Sequence, residues 1–318
     1  MLNKRKVKVL IFGIGGFVGT YLAKEFINHG YDVYGSDICE NKKLPSKVVF
    51  HESNLLDGIS VEVLVHKLMP DMIINLAAIS SVGNSWNIPQ TTIAVNVIGT
   101  LNILEAAKKQ TIKPKIMLIG SSEEYESSKN SINEKMPLNA NNPYGISKMA
   151  QEKFAKLYRN RYGMKIYCVR SFNHTGVGQK ETFVIPGWCR QVAQISKSKK
   201  SGIIHVGNLS VVRDFSNVKD IVNAYRLIIE SDDCEIIYNV GSGKAVALSE
   251  ILKYIISLSK QPIKVETDAE LIRPLENPVI CCDHSLITTR LGWTPKYDIF
   301  ETIDEIFNYY VHCSENNI

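Results

Sequence analysis

The chain has 318 residues, of which 45% are hydrophobic and 22% are charged, enough to bury a sizeable core. Lysine and arginine total 37 against 32 acidic residues, and the small excess forms neither a basic block nor an arginine-rich arm. Nucleic acid and membrane surfaces are therefore not indicated as partners.

The cysteines, histidines and apolar runs argue against several further classes of protein. The seven cysteines are odd in number and contain no Cys-x-x-Cys pair, which indicates neither a disulfide framework nor a zinc site. The histidines are dispersed without ligand spacing, so we predict no metal. The first apolar run breaks at Gly13 without a cleavage site, and no stretch reaches the roughly 18 residues of a membrane helix. We predict a cytoplasmic protein.

Short β-branched runs alternate with longer helical patterns in the first half of the chain. The runs that predict buried strands are 7–12, 32–34, 48–50, 72–76, 115–119 and 165–169. The patterns that predict helices are 17–28, 62–68, 90–109 and 143–162. Strict alternation of strand and helix is typical of an α/β fold with a doubly wound parallel sheet.

The pattern changes after Arg170 to loops, short strands and scattered helices. We expect 218–230 and 236–240 to return to the first sheet, and 248–258 and 300–311 to be helices of a second lobe. Residues 1–172 with roughly 214–240 then form a dinucleotide-binding domain. Residues 173–213 and 241–318 form a smaller C-terminal α/β substrate lobe, and the ligand lies at the carboxyl ends of the strands between them.

A glycine motif follows the first strand directly and opens the first helix. Gly13, Gly16 and Gly19 have the spacing G-x-x-G-x-x-G, with Gly15 in addition. Such glycines allow a tight turn, a close approach of diphosphate to the backbone, and close packing of helix on strand. The motif alone is also compatible with a simple strand-to-helix turn. Its place in the first βαβ unit predicts a Rossmann sheet that binds a dinucleotide.

Asp37 is the candidate ligand of the cofactor ribose. It follows the second strand, 18 residues after Gly19, which is close to the usual spacing of the ribose-binding acid. A carboxylate accepts from the ribose hydroxyls and repels a 2′-phosphate, so we expect NAD or NADP with a slight preference for NAD. Two alternatives stay open: Asp37 as a solvated loop residue, and Lys42 and Lys43 as partners of a phosphate.

The catalytic candidates are Tyr144, Lys148 and Ser121. Tyr144 and Lys148 lie four residues apart at the start of a helix and therefore on one face. An ammonium there stabilises a phenolate, as proton transfer to a developing alkoxide requires. Ser121 follows the fifth strand and brings a hydroxyl to the same edge of the sheet, where it can bind a substrate carbonyl oxygen.

These residues resemble the extended short-chain dehydrogenase/reductases (NAD-dependent epimerase/dehydratases) that act on nucleotide sugars, and the resemblance covers nearly the whole chain. Further shared motifs are Asn75-Leu-Ala-Ala78, Val95-Asn96-Val-Ile-Gly-Thr100, Arg170-Ser-Phe-Asn-His174, Arg213-Asp-Phe215, Tyr238-Asn-Val-Gly-Ser-Gly243 and Arg273-Pro-Leu-Glu276. Within the family, the runs 121–125, 172–176 and 207–209 are most similar to the GDP-4-keto-6-deoxy-D-mannose reductases. The resemblance therefore implies reduction of the C4 ketone of a nucleotide 4-keto-6-deoxyhexose to GDP-6-deoxy-D-mannose.

The resemblance also implies a role for each matching residue. Tyr144 would protonate the nascent alkoxide, Ser121 would hold the oxygen, and Lys148 would tune the phenol. The implied cofactor contacts are Gly13, Gly15, Gly16, Phe17, Val18, Gly19, Asp37, Asn54, Leu55, Leu76, Ala77, Ala78, Asn96, Tyr144 and Lys148. The implied substrate contacts are Ser122, Asn173, His174, Asn208, Arg213, Arg273 and Glu276, the two arginines on the diphosphate and Glu276 on the nucleotide ribose.

Other activities stay open at this point. In the related 4,6-dehydratases a carboxylate at the position of Glu123 removes the C5 proton, so Glu123 is a fourth catalytic candidate. Those enzymes usually carry threonine where this chain has Ser121, which favours the reductase. A 4-epimerase needs only Tyr144, Lys148, NAD and a substrate that can rotate. A non-catalytic redox sensor is a further alternative, although such relatives typically lose the tyrosine or the lysine.

A homodimer is expected from two helices that carry apolar residues on more than one face. The apolar residues concerned are Ile93, Val97, Leu101 and Leu104 on the first helix and Met149, Phe154 and Leu157 on the second. One face covers the sheet, and the other is available for a four-helix seam, as in the resembling family.

Overall fold

A computed structural model describes residues 5–232, 236–272 and 277–312. Its strands are β1 (Lys8–Phe12), β2 (Asp32–Asp37), β3 (Val49–Glu52), β4 (Met72–Asn75), β5 (Lys115–Ser121), β6 (Ile166–Ser171), β7 (Asn173–Thr175), β8 (Gly202–Val206), β9 (Val212–Asn217), β10 (Ile237–Val240), β11 (Ala245–Ala247), β12 (Ile263–Thr267) and β13 (Val279–Ile280). The runs that form the central sheet are rich in Val, Ile and Met, the composition of strands buried on both faces.

Helices connect and flank these strands. They are α1 (Phe17–Asn28), α2 (Gly58–Leu68), α3 (Val82–Asn87), α4 (Pro89–Ile93), α5 (Gly99–Lys108), α6 (Pro143–Tyr162), α7 (Val184–Ser198), α8 (Val218–Glu230), α9 (Leu248–Ser257), α10 (Ser285–Leu291) and α11 (Ile299–His312). A π-helical segment, Ala94–Ile98, joins α4 to α5, and Ser122–Glu124 and Ala269–Leu271 are single 3-10 turns.

Within the described residues, seven strands form one sheet in the order β10-β6-β5-β4-β1-β2-β3. Every neighbouring pair is parallel. The order reverses on either side of β1, which defines a doubly wound sheet whose ligand crevice lies at the carboxyl ends of the strands. The predicted α/β fold is confirmed.

The core fills both faces of this sheet. One apolar layer contains Leu22 and Phe26 of α1 together with Tyr225 and Ile228 of α8. The opposite layer packs α2, α5 and α6 against the other face. Burial of both faces makes the sheet a rigid platform, so the side chains that follow its strands have fixed relative positions.

The chain after β6 builds a second layer beside the carboxyl ends of the strands. β9 pairs with β7, β11 and β13, and β8 pairs with β12. The helices α7, α9 and α11 enclose a separate apolar cluster that includes Trp188 and Ile303. β10 and α8 contribute to the first sheet and its core, while the domain bounds stated above stay a prediction.

Three local expectations differ from the structure. Strict alternation is wrong between β2 and β3, because residues 38–48 form a connection without a helix. The expected helix 90–109 is interrupted by the π-helical segment. Helix α7 was expected only as part of an irregular region, yet it spans 15 residues. Over the described ranges, none of the helices has the length and apolar character required to cross a bilayer.

Candidate active site

The glycine loop between β1 and α1 has no room for side chains. Gly13 has a φ of +77°, and a Cβ atom there would lie 2.5 Å from the backbone nitrogen of Ala77, after β4. A Cβ at Gly19 would lie 2.3 Å from the carbonyl oxygen of Ile14. The loop is therefore packed as tightly as a diphosphate-binding turn requires.

The start of α1 is open to an anion. Helix α1 begins at Phe17 with Gly16 as its N-cap, and among the described residues no side chain caps it and no acidic residue stands in its first turn. Its first backbone amides are thus left for another acceptor, and the helix dipole is positive at this end. These features fit the diphosphate of a dinucleotide.

Asp37 lies at the end of β2, beside the glycine loop. Its Oδ2 atom accepts a hydrogen bond from the Gly15 amide at 3.0 Å, and its Oδ1 atom accepts from the Ile38 amide at 2.8 Å. Asn41 donates to the Gly15 carbonyl oxygen at 2.7 Å. These contacts hold a carboxylate next to the proposed diphosphate site, where a cofactor ribose belongs.

The other expected cofactor contacts follow neighbouring strands. Residues 76–78 follow β4 and lie against the glycine loop, partly exposed. Asn54 is exposed and accepts from the Leu56 amide at 3.0 Å, whereas Leu55 is 92% buried and packs against Gly99. The glycine loop, Asp37, Asn54 and residues 76–78 therefore lie at the carboxyl ends of β1 to β4, whereas the other predicted cofactor contacts, Asn96, Tyr144 and Lys148, lie on the π-helical segment and α6.

Asn96 is a buried residue whose side-chain amide bonds to other groups of the protein. It belongs to the π-helical segment, is fully buried, and accepts from the Ile79 amide at 2.8 Å. Its Nδ2 atom donates to the Ile79 carbonyl oxygen at 3.2 Å and to Ser147 Oγ at 2.8 Å. Asn96 thus joins the loop after β4 to helix α6, and its expected contact with the cofactor stays a prediction.

Helix α6 places Tyr144 and Lys148 on its buried face. Asn142 caps the helix by accepting from the Gly145 amide at 2.8 Å, and Pro143 occupies the first helical position. The Lys148 Nζ atom lies 5.9 Å from the centre of the Tyr144 ring and donates to the Ile119 carbonyl oxygen at 2.6 Å. The cap therefore fixes where the helix starts and thereby the position of both side chains.

Ser121 ends β5 and faces this helix. Its Oγ atom accepts from the Glu123 amide at 3.1 Å, at the start of the 3-10 turn Ser122–Glu124. Asn142 donates through Nδ2 to Glu123 Oε2 at 2.9 Å, so one side chain caps α6 and also orients Glu123. Ser122, expected to contact substrate, is only 3% exposed.

Burial dominates the electrostatics of the cluster. It raises the pKa of Tyr144 above its usual value, while the hydrogen bond with Ser121 lowers it. Burial lowers the pKa of Lys148 to about 8, opposed by the carboxyl of Glu124. A lysine that is still protonated at neutral pH beside a buried phenol favours the phenolate. The arrangement is suited to passing a proton between Tyr144 and an oxygen held by Ser121.

Two supporting residues were missed by sequence reasoning. Gln151 is buried, donates to the Ile119 carbonyl oxygen at 3.2 Å, and accepts from Lys148 at 3.3 Å. Asn142 performs the two tasks described above. The spacing of three residues from Lys148 to Gln151 and the Asn-Pro pair before the helix were the available signals.

Four of the expected substrate residues, Asn173, His174, Asn208 and Arg213, come after β6 in the chain, in or near β7 and β9. His174 stacks on Phe17 with ring centres 6.5 Å apart, and burial lowers its pKa. Asn173 precedes it in β7. Arg213 of β9 is 7% exposed and donates to the Val212 carbonyl oxygen at 3.0 Å, and Asn208 accepts from the Ser210 amide at 3.0 Å. The structure thus brings Asn173 and His174 next to the start of α1.

Two further substrate candidates, Arg273 and Glu276, lie outside the described residues. Across residues 5–232, 236–272 and 277–312, no three His, Cys, Asp or Glu side chains group as metal ligands.

Lys148→Met is expected to stabilise the protein. Burial lowers the folded-state pKa from 10.5 to about 8, so between these values the unfolded chain binds more protons and wild-type stability rises with pH. The gain in the free energy of unfolding is therefore largest, up to about 3 kcal/mol, below pH 8 and vanishes near pH 10.5. Ile119 keeps Gln151 as a donor.

Urea unfolding of both proteins at neutral and alkaline pH measures this gain. Lys153→Met, at an exposed position of the same helix, is the control and is expected to show no such pH dependence. A Lys148→Met protein that is less stable than wild type at neutral pH contradicts the prediction.

The fold and this site define an extended short-chain dehydrogenase/reductase, with a glycine loop for a dinucleotide and a Ser-Tyr-Lys cluster on the same edge of the sheet. A family model described as GDP-mannose 4,6 dehydratase matches residues 10–306. The chain belongs to that family. The predicted resemblance and the prediction of an NAD(P)-dependent enzyme are confirmed.

Individual relatives match over almost the full length. The chain is 27% identical to the GDP-6-deoxy-D-mannose reductase of Pseudomonas aeruginosa, covering 95% of this chain and 96% of that protein. It is also 27% identical to a GDP-mannose 4,6-dehydratase of Yersinia enterocolitica, covering 94% and 92%. Among solved structures, RMD from Pseudomonas aeruginosa complexed with NADPH has a TM-score of 0.82 and 26% identity, covering 96% of this chain and 98% of that one.

Proposed function

We propose that this protein reduces the C4 ketone of a nucleotide 4-keto-6-deoxyhexose with NADH or NADPH, converting GDP-4-keto-6-deoxy-D-mannose to GDP-6-deoxy-D-mannose. The observation that carries the proposal is the convergence of Ser121, Tyr144 and Lys148 at the carboxyl end of β5, on the same edge of the sheet as the glycine loop. Similarity to the Pseudomonas aeruginosa reductase over 95% of the chain supports the direction of the reaction.

The proposal gives each residue of the cluster a role. A bound reduced nicotinamide supplies the hydride. Ser121 binds the ketone oxygen through its hydroxyl, and Tyr144 donates its proton as the oxygen gains negative charge. Lys148, held by Ile119 and Gln151, stabilises the phenolate that remains. Burial of the cluster excludes water and strengthens each of these interactions.

The cofactor proposal rests on the glycine loop and Asp37. The uncapped start of α1 binds the diphosphate, and the carboxylate beside Gly15 binds the ribose hydroxyls. A carboxylate there disfavours a 2′-phosphate, which supports NAD, while the Pseudomonas aeruginosa RMD structure holds NADPH. Lys42 and Lys43, on the connection after β2, are the candidate partners of a phosphate.

The sugar nucleotide is proposed to bind between the central sheet and the chain segments that follow β6. Asn173 and His174 border the sugar because they follow β6, next to the start of α1. Arg213 and Arg273 bind the diphosphate. Glu276 binds the nucleotide ribose, and Asn208 lies near the base. Guanidinium groups suit a diphosphate because they present several N–H donors to its oxygens.

A second candidate function is 4,6-dehydration, and Glu123 is the observation that favours it. Asn142 orients this carboxylate at 2.9 Å, beside Ser121 and Tyr144. A dehydratase requires Glu123 as its base, so Glu123→Gln would lower its kcat about 10²- to 10⁴-fold. A reductase does not transfer a proton through Glu123, and the glutamine keeps an acceptor for Asn142, so we expect kcat to stay within about tenfold.

The test compares wild type, Glu123→Gln and the exposed control Glu126→Gln. Each is assayed for ketone reduction with GDP-4-keto-6-deoxy-D-mannose and for dehydration with GDP-mannose and oxidised cofactor. Loss of a measurable dehydratase activity in Glu123→Gln alone, with no reductase activity in wild type, contradicts the proposal.

We also propose a cytoplasmic homodimer whose seam is built by α4, the π-helical segment, α5 and α6. Ile93, Ile98, Ile146 and Leu157 are apolar and between 38% and 60% exposed. Val97 and Leu104 are buried in the protomer, and Leu104 packs in the apolar layer that covers the sheet. Sedimentation as a monomer at micromolar concentration contradicts the dimer.

A further inference from the structure

Glu124 is a buried carboxyl group that the proposed mechanism does not use. It ends the 3-10 turn after Ser121 and has no exposed surface. Its Oε1 atom accepts from the Ser121 amide at 2.7 Å. Within residues 5–232, 236–272 and 277–312, its Oε2 atom has no hydrogen-bond partner. One oxygen therefore holds the backbone of a candidate catalytic residue, and the other is buried at a cost in stability.

The strand leading into the turn leaves space for this carboxyl. A Cβ atom at Gly120 would lie 2.4 Å from Glu124 Oε1 and 3.1 Å from the Val169 carbonyl oxygen. Any larger residue at Gly120 would displace the Glu124 side chain from the Ser121 amide. The two residues therefore depend on each other: because Gly120 has no side chain, the Glu124 carboxyl group fits next to the start of the turn.

An ion pair does not account for this buried acid. The two cations whose charges act on Glu124 bond to other acceptors. Arg170 donates twice to Glu152, at 2.6 and 2.8 Å, and once to the Tyr125 hydroxyl at 2.8 Å. Lys148 donates to the Ile119 carbonyl oxygen at 2.6 Å. Burial raises the pKa of Glu124 to about 8, so the group is mainly a neutral acid at pH 7. Glutamine is consequently a close match for it in size and in its ability to accept from Ser121.

We propose that Glu124 is a positioning residue of the reaction proposed above: it fixes the Ser121 amide and thereby the place of the Ser121 hydroxyl relative to Tyr144. The turn transmits this effect, since the Ser121 hydroxyl in turn accepts from the Glu123 amide at 3.1 Å. Glu124 touches neither substrate nor cofactor and acts only through this turn.

Leucine and glutamine variants separate positioning from bulk packing. Glu124→Leu removes the acceptor, so the Ser121 hydroxyl loses its place and kcat falls about 10- to 100-fold, with KM for the dinucleotide unchanged within about twofold. Its melting temperature stays close to that of wild type, because the variant loses one hydrogen bond but no longer buries an unsatisfied oxygen. Glu124→Gln restores kcat to within about threefold of wild type at pH 7.

Gly120→Ala provides an independent route to the same change, since it displaces the carboxyl while leaving Glu124 in the sequence. We expect it to lower kcat as much as Glu124→Leu does. The double variant Gly120→Ala/Glu124→Leu is expected to have a kcat no lower than that of either single variant. Glu126→Leu, at an exposed position two residues on, is the control and keeps the wild-type kcat.

A readout that needs no substrate completes the test. Hydrogen exchange of the Ser121 amide, followed by mass spectrometry on the segment 119–125, is expected to accelerate in Glu124→Leu and to stay slow in Glu124→Gln. Wild-type kcat in Glu124→Leu, or a Glu124→Gln protein as impaired as Glu124→Leu, overturns the proposal.

The two proposals fail in different ways. If wild type performs dehydration instead of reduction, the proposed function fails. The kcat values of Glu124→Leu and Glu124→Gln are then compared with that of wild type for the dehydration reaction. If wild type turns over neither substrate, the proposed function again fails, and unchanged exchange of the Ser121 amide in Glu124→Leu overturns the positioning role.

Discussion

Replacement of Tyr144 by phenylalanine is expected to lower kcat for ketone reduction about 10²- to 10⁴-fold. The ring stays in place, so packing is kept, but the hydroxyl that faces Ser121 and delivers the proton is gone. The proposed diphosphate site is the glycine loop between β1 and α1, which does not include Tyr144, so KM for the cofactor is expected to change by no more than about twofold.

Tyr162→Phe is the matched control for this prediction. It lies on the same helix and is 38% exposed, at the far end from the site. Steady-state kinetics of both variants, with the folded state checked by circular dichroism, measure the effect. A Tyr144→Phe enzyme with kcat within threefold of wild type would contradict the assigned acid and with it the catalytic cluster.

The second large effect is expected at Gly13. Gly13→Ala places a residue at a φ of +77° and brings its Cβ within 2.5 Å of the Ala77 nitrogen. The left-handed backbone costs about 1–2 kcal/mol and the overpacking about 1–3 kcal/mol more, so we expect a loss of roughly 2–5 kcal/mol in the free energy of unfolding. Dinucleotide binding is expected to fall with it, because the loop must shift away from residues 76–78.

Gly30 isolates the steric part of this effect. It has a φ of +84°, but nothing lies within 4 Å of a Cβ built there. Gly30→Ala therefore carries only the backbone cost of about 1–2 kcal/mol. Urea unfolding and calorimetric titration of NADH compare the two variants, and equal losses of stability would contradict the close packing of the glycine loop against β4.

The central sheet was predictable because its strands are buried on both faces. Continuous apolar runs such as 115–119 and 165–169 leave little alternative to parallel strands between helices. The helices 17–28 and 143–162 were predicted with the bounds observed, since each has a glycine loop or an Asn-Pro cap at its start. Local signals and tertiary packing agree at these elements.

Helix α7 was missed because its first turns contain Pro186 and Gly187, which ordinarily indicate a loop. Proline in the first turn removes only an amide that has no intrahelical acceptor, so the helix tolerates it. The π-helical segment was equally hidden, since apolar periodicity does not distinguish one widened turn.

Some residues of the site were predictable from local sequence patterns, whereas others were recognised only from their tertiary contacts. Ser121, Tyr144 and Lys148 were identified from spacing and from the ends of strands. Glu124 and Gln151 carry no comparable motif, because their importance depends on burial next to Ser121 and Lys148. Motif spacing identifies groups that react, whereas the groups that hold them become visible only in the packed structure.

The proposed reduction is tested most directly by mixing the purified protein with GDP-4-keto-6-deoxy-D-mannose and either NADH or NADPH. The absorbance of the reduced nicotinamide is followed and the product sugar is identified by NMR. We predict a loss of absorbance matched one for one by GDP-6-deoxy-D-mannose. No oxidation of either cofactor, together with formation of a 4-keto-6-deoxy sugar from GDP-mannose and oxidised cofactor, would contradict the account.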